Sequence, residues 1–109
     1  MEIAVWMSYD LSAAGDYEGL YTWLAERDAK DCGGNLAFFR FDCDDPAAIR
    51  DEMLQSVRQT CKLTRKDRLY AVCQRPETGK PSGGFIFGSR SARPAWIDYG
   101  MYAPTCFDE

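Results

Sequence analysis

The chain contains no histidine, no closely spaced pair of cysteines and no long apolar run, and each gap removes a class of function. Without histidine there can be no Ser-His or Cys-His nucleophile pair and no ordinary neutral-pH base. Any catalysis must therefore run on carboxylates, Lys, Arg, Tyr or a bound cation. The five cysteines (Cys32, Cys43, Cys61, Cys73, Cys106) are scattered and include no CxxC step. A zinc ribbon or a disulfide framework needs paired spacing, so they read as small buried hydrophobes in a reducing cytosol. No apolar segment approaches the roughly 20 residues of a membrane span, and the first residues carry Glu2 without a basic cluster. A cytoplasmic protein with no membrane segment is the expectation. Repeats and low-complexity tracts are also missing.

What is present suits one folded domain over residues 1–109. Hydrophobic residues make up 46% and aromatics 14%, enough for a single core and far from a disordered composition. The net charge of −4 is unevenly spread. Residues 1–57 hold four basic groups against twelve acids, a balance of −8, and residues 58–109 hold nine against five, a balance of +4. Either the two halves interleave in the fold and cancel, or one flank is left able to attract an anion.

Residues 2–11 alternate, with Ile3, Val5, Met7, Tyr9 and Leu11 on one side and Trp6, Ser8 and Asp10 on the other, the pattern of a strand facing a core. A helix is predicted from Tyr17 to Ala29, capped by Asp16, with Tyr17, Leu20, Tyr21 and Leu24 as its buried stripe. Gly33-Gly34 ends that segment. The second strand is Asn35–Phe41, with Phe39 and Phe41 on one face and Leu36, Phe38 and Arg40 on the other. Asp45 and Pro46 then open a second helix, predicted to run to Leu63 on the stripe Ile49, Met53, Val57, Cys61. Lys62, Arg65 and Lys66 would sit at its negative pole. Arg68–Gln74 and Phe85–Phe87 read as the last two strands. The order β-α-β-α-β-β predicts a two-layer α/β sandwich, a four-stranded sheet with two helices on one face. The other sheet face would show Trp6, Phe38 and Tyr70 or Phe87, too much apolar surface for bare water. A second copy, giving a homodimer, or the C-terminal aromatics could cover it.

Two places can carry chemistry. Asp10 closes the first strand, with Ser8 on the same face, and can either bind Mg²⁺ or Mn²⁺ through oxygen ligands or merely cap the following turn. Asp42, Asp44 and Asp45 resemble a cation cluster, but alternation turns neighbours to different faces, and Asp45 is already the helix cap. The segment Gly83–Trp96 brings Arg90 and Arg93 next to glycines and aromatics. Guanidinium forks can hold phosphates there while rings stack bases, although no GK[ST] step makes it a Walker loop. Lys62, Arg65, Lys66 and Arg68 would extend such a nucleic-acid surface, although a helix C-terminus attracts basic residues anyway. A tight hairpin whose arginines neutralise the acidic half accounts for the same residues. Cys43, between aspartates, is a poor nucleophile because their charges raise its pKa.

The run Ser8-Tyr-Asp-Leu-Ser-Ala-Ala-Gly-Asp-Tyr-Glu-Gly-Leu-Tyr21 resembles the opening of the small ferredoxin-like endoribonucleases of CRISPR adaptation and their toxin–antitoxin and SinR-like relatives. The likeness covers about the first 25 residues, with a similar size and α/β composition. It implies a ferredoxin-like fold, a homodimer, and a catalytic, metal-binding Asp10 serving phosphodiester cleavage in RNA or DNA. The family has a β-hairpin between its helices, where this sequence shows a single apolar run before Pro46. The rival expectation is a non-enzymatic protein-binding factor, such as a mobile-element or phage inhibitor or a defence accessory protein.

Overall fold

The computed structural model describes residues 1–90 and 94–99; Arg93 and Cys106 lie outside them. The chain forms β1 (Glu2–Asp10), α1 (Tyr17–Glu26), β2 (Lys30–Asp31), β3 (Leu36–Asp42), α2 (Ile49–Arg58), β4 (Arg68–Gln74) and β5 (Pro81–Phe87). The strands make one sheet in the order β2-β3-β1-β4-β5, with every neighbouring pair antiparallel. Both helices pack on the same side, so the molecule is a two-layer α+β sandwich. The odd residues of β1 meet Leu20, Trp23 and Leu24 of α1 and Met53 and Val57 of α2 in a single core.

The predicted four-stranded sheet is corrected to five strands. The additional strand is the two-residue β2, paired with Phe38 and Ala37 across a turn whose Gly33, Gly34 and Asn35 all have positive φ. Two residues are too few to show a period. The glycines thus turn a hairpin between the helices. β5 also begins earlier than expected, because Ser82, Gly83 and Gly84 pair through their backbones without needing side-chain packing. A bulge at Leu69/Tyr70 then turns both Ile86 and Phe87 toward the core.

The second helix is shorter than the predicted span to Leu63. A 3-10 turn (Pro46–Ala48), capped by the Asp45 side chain, precedes it, and it ends at Arg58. The chain leaves the helix because the Lys62 N–H is drawn to the Asp16 carboxylate at 2.8 Å. Lys62, Arg65 and Lys66 therefore lie in the loop to β4, beyond the helix pole they were expected to complement. Asp16 also accepts from Gly19 N–H at 2.9 Å, as its expected role as cap requires. Hydrogen bonds from Lys62 and Gly19 hold its carboxyl below the usual value.

Within the sheet the two charge halves lie side by side, although α2 of the acidic half packs against β5. Residues 1–57 supply β1, β2, β3 and nearly all of both helices, whereas β4, β5 and the loop leading to them come from the basic half. The cationic surplus therefore stays on the β4–β5 flank.

Candidate anion-binding site

Antiparallel register places the site's central pair. Asp10, the last residue of β1, lies directly opposite Arg68, the first of β4. The Arg68 guanidinium donates to Asp10 Oδ2 at 2.9 Å. Both side chains stand on the sheet face that the helices leave open. Two adjoining clefts share this pair. One, of about 410 Å³, is lined by Ser12, Arg65, Lys66 and Ser89 in addition to the pair. The other, of about 230 Å³, adds Ser8, Tyr70, Phe85 and Arg90. Of the residues proposed from sequence, Asp10, Lys66, Arg68 and Arg90 are thus brought together from three chain segments, while Arg93 lies outside the described residues. Arg65, expected from sequence to extend that surface, joins them as well, while Ser12 and Tyr70 are added only by the fold. Among the described residues Asp10 is the only acid lining either cleft, against four cations.

The open face continues inward as an aromatic surface. Trp6 packs against Phe38 with centroids 4.8 Å apart, and Tyr70 meets Phe85 edge-on at 5.0 Å. Trp6 and Tyr70 remain 41% and 38% exposed. Ser8 pairs with Tyr70, so Trp6 and Tyr70 are diagonal neighbours, about 7–8 Å apart at the backbone. Lys30 and Arg40 flank the Phe38 side, Arg40 stacking 5.8 Å from its ring. Much of the acid excess lies elsewhere, with Glu18, Glu26 and Asp51 exposed on the helices. Trp96 and Tyr99 are highly exposed, so these two aromatics do not cover the sheet.

Several nearby groups are set aside by their surroundings. The Tyr9 hydroxyl points into the helical side and is pushed up to about 12, by burial first and by Tyr21 second. It keeps its proton at neutral pH. Burial, followed by the charges of Asp16 and Asp67, raises the Cys61 thiol to about 11. Cys43 is also raised, though by burial first and then by Glu52, so the expected influence of its flanking aspartates is secondary. Asp42 pairs with the Met1 amino group, and Asp45 accepts from Ala47 N–H. Among the described residues no three His, Cys, Asp or Glu side chains gather as a metal-ligand group. A cleft of about 620 Å³ lies between the helices and the end of β3. It sets Arg27 and Arg40 against Glu26, Asp42, Asp44 and Glu52, so acids outnumber cations there and the cleft does not favour an anion.

Gly88 fixes how the chain leaves β5 toward Arg90. Its φ is +72°, and a Cβ there would lie 2.4 Å from the Asp67 carbonyl oxygen. Gly88→Ala should therefore cost roughly 2 kcal/mol or more, through a strained backbone and a contact with unyielding main chain. Urea unfolding measures this; a loss below about 0.5 kcal/mol, the range of neutral surface changes, would contradict the close approach. No helix among the described residues is long and apolar enough to cross a membrane. In comparison with known proteins, no family model, no curated sequence and no solved structure matches this chain.

Proposed function

We propose that this chain is a small nucleic-acid-handling protein that binds a single strand across its open sheet face. Arg65 and Lys66 hold phosphates, Arg68 and Arg90 donate to the strand at the adjoining cleft, and Trp6 and Tyr70 offer rings on which bases stack; Arg93 is a further candidate contact from sequence. The observation that carries this reading is the meeting of four cations and an aromatic shelf at two clefts sharing one residue pair. Exposed rings on a sheet, with a basic rim tracking the backbone, suit single strands, because every base has a π-face. The β-α-β-β-α-β order, with a hairpin between the helices, supports a ferredoxin-like reading of the fold, to which β5 adds an outer strand.

Fluorescence anisotropy with short single-stranded RNA and DNA, across a salt series, tests the proposal. Affinity should fall steeply with salt, and Lys66→Ala and Arg65→Ala should each flatten the log–log slope by about 0.7, the value for one lost single-strand phosphate contact. Binding that ignores both salt and these substitutions would overturn it.

A second reading adds metal-assisted cleavage, as the sequence resemblance implies. Within one chain the donors do not suit Mg²⁺ or Mn²⁺, which prefer several oxygen ligands. Asp10 is a lone carboxylate already paired with a guanidinium. A homodimer would remove that objection, because Asp10 is 62% exposed on the open face and can meet its own copy across a two-fold axis. Asp10→Ala should then abolish divalent-dependent hydrolysis, and unchanged cleavage would dismiss this reading. The rival, a non-enzymatic protein-binding factor, draws on the exposed acids of the helices. A stoichiometric protein partner that survives nuclease and EDTA in a pull-down, with no nucleic-acid affinity, would favour it.

A further inference from the structure

The lone acid in the basic rim needs an explanation of its own. A carboxylate among phosphate-binding groups weakens anion binding unless it meets a hydrogen-bond donor. Phosphates offer none, but bases do. Resting on the nucleic-acid reading above, we infer that the Ser8–Asp10–Arg68–Tyr70–Phe85–Arg90 cleft is a guanine-reading subsite for one base of the bound strand.

The chemistry of the lining selects among bases. Tyr70, with Phe85 edge-on behind it, provides a stacking face. Arg68 and Arg90 are donors only, and guanine presents the adjacent acceptors O6 and N7, the arrangement that arginine forks recognise best. Asp10 is an acceptor only, and guanine presents the adjacent donors N1–H and N2–H on its Watson–Crick edge. Adenine turns its N6 amino group toward the forks where an acceptor is needed, and it has no second donor beside it for the carboxylate. Cytosine likewise offers a single amino group. Uracil has one N–H, so it can engage only one carboxylate oxygen.

The pair is also arranged to be shared. Among the described residues the one recorded hydrogen bond to Asp10 comes from Arg68, through Oδ2. Oδ1 accepts no hydrogen bond among the described residues, and Asp10 lines the cleft, which leaves that oxygen with capacity for a base. The neighbouring cleft, where Ser12, Arg65, Lys66 and Ser89 gather, is placed to take the phosphate attached to the same nucleotide. Asp10 in this role is a specificity-determining residue. The ion pair to Arg68 serves to orient both groups, and no metal is required.

The test uses short oligouridylates with one central guanosine, inosine or adenosine, bound to the full chain in EDTA. The guanosine strand should bind about tenfold more tightly than the adenosine strand, the scale of one good bidentate base contact. Inosine, which lacks the N2 amino group, should fall between them. Asp10→Asn should abolish the preference for guanosine over inosine and narrow the one over adenosine, because the arginine forks still read O6 and N7 while the amide turns a mismatched donor toward N2–H. Asp10→Glu, which keeps the carboxylate, should retain part of the preference and controls for lost folding. Equal, salt-sensitive binding of all three strands would overturn the inference and leave the nucleic-acid reading standing. A preference for guanosine over inosine that survives Asp10→Asn would also overturn it, and no binding of any strand would remove both.

Discussion

Trp23→Ala should lower the unfolding free energy by about 4 kcal/mol, a large share of the roughly 5–15 kcal/mol available to a domain of this size. Trp23 is 1% exposed and stands edge-on to Phe39 with centroids 5.0 Å apart. Its indole N–H donates to Ser56 Oγ at 2.9 Å, and so ties α1 to α2. Arg27 lies over the ring at 4.0 Å and donates to the same Ser56 oxygen. Truncation therefore opens a ring-sized cavity between helices and sheet, and it removes the aromatic face on which a desolvated guanidinium rests. Burial already lowers the Arg27 pKa, the direction expected of a cation withdrawn from water. Trp23→Phe should cost less, about 1–2 kcal/mol, because most of the volume remains and Arg27 still satisfies Ser56. Urea unfolding of both variants checks the order. A loss under about 1 kcal/mol for Trp23→Ala would mean that the indole is not the keystone between the layers.

Trp23 also shows where the sequence stops being legible. Helical spacing predicts a stripe of Tyr17, Leu20, Tyr21 and Leu24, but the fold buries Leu20, Trp23 and Leu24 and leaves Tyr21 48% exposed. Both sets satisfy the i, i+3, i+4 rule, since a helix with apolar groups on adjacent stripes fixes its phase only against a partner. Strand alternation is less ambiguous. The odd residues of β1 are all buried, and Phe39 and Phe41 separate from Phe38 and Arg40 as expected. The Met53, Val57, Cys61 stripe is buried as well. What escaped was whatever depends on distant partners. β2 exists only because β3 offers it an edge, and α2 ends where Asp16, 46 residues earlier, captures Lys62 N–H.

The site shows the same division. Local context marked the candidates: Asp10 by its place at the end of the first strand, Arg90 by its glycine and aromatic neighbours, and Lys66 and Arg68 by their basic cluster. That Asp10 faces Arg68 depends on the register of β1 with β4, and a one-residue slip would have put the two on opposite faces. Sequence gave no reason to single out Asp67, because its partner Ser12 lies 55 residues away. A fully buried carboxylate in a basic loop is visible only once the loop has closed.

Asp67→Ala is expected to cost about 3 kcal/mol at neutral pH and to loosen the basic rim. The Asp67 side chain accepts from Ser12 N–H at 2.8 Å and from Thr64 N–H at 2.7 Å, with the Thr64 hydroxyl at 3.1 Å. It thus clamps the loop after β1 to the loop before β4, and those two loops carry Ser12, Arg65 and Lys66 into the phosphate cleft. Removing the carboxylate leaves two buried N–H groups without acceptors. Asp67→Asn is no rescue, because its amide group turns a donor toward donors. Burial by itself would raise the Asp67 pKa, but the hydrogen bonds from Thr64 and Ser12 outweigh it, and the carboxyl titrates below its ordinary 3.8. A depressed folded-state pKa contributes stability that is fully present above the unfolded value and is lost as pH falls through the folded one. The gap between wild type and Asp67→Asn should therefore be constant from neutral pH down to about 5, then narrow as acid protonates the wild-type carboxylate. Urea unfolding of the two proteins over that pH series checks it. A gap that stays unchanged into strong acid would show that the charge on Asp67 is not what holds the two loops together.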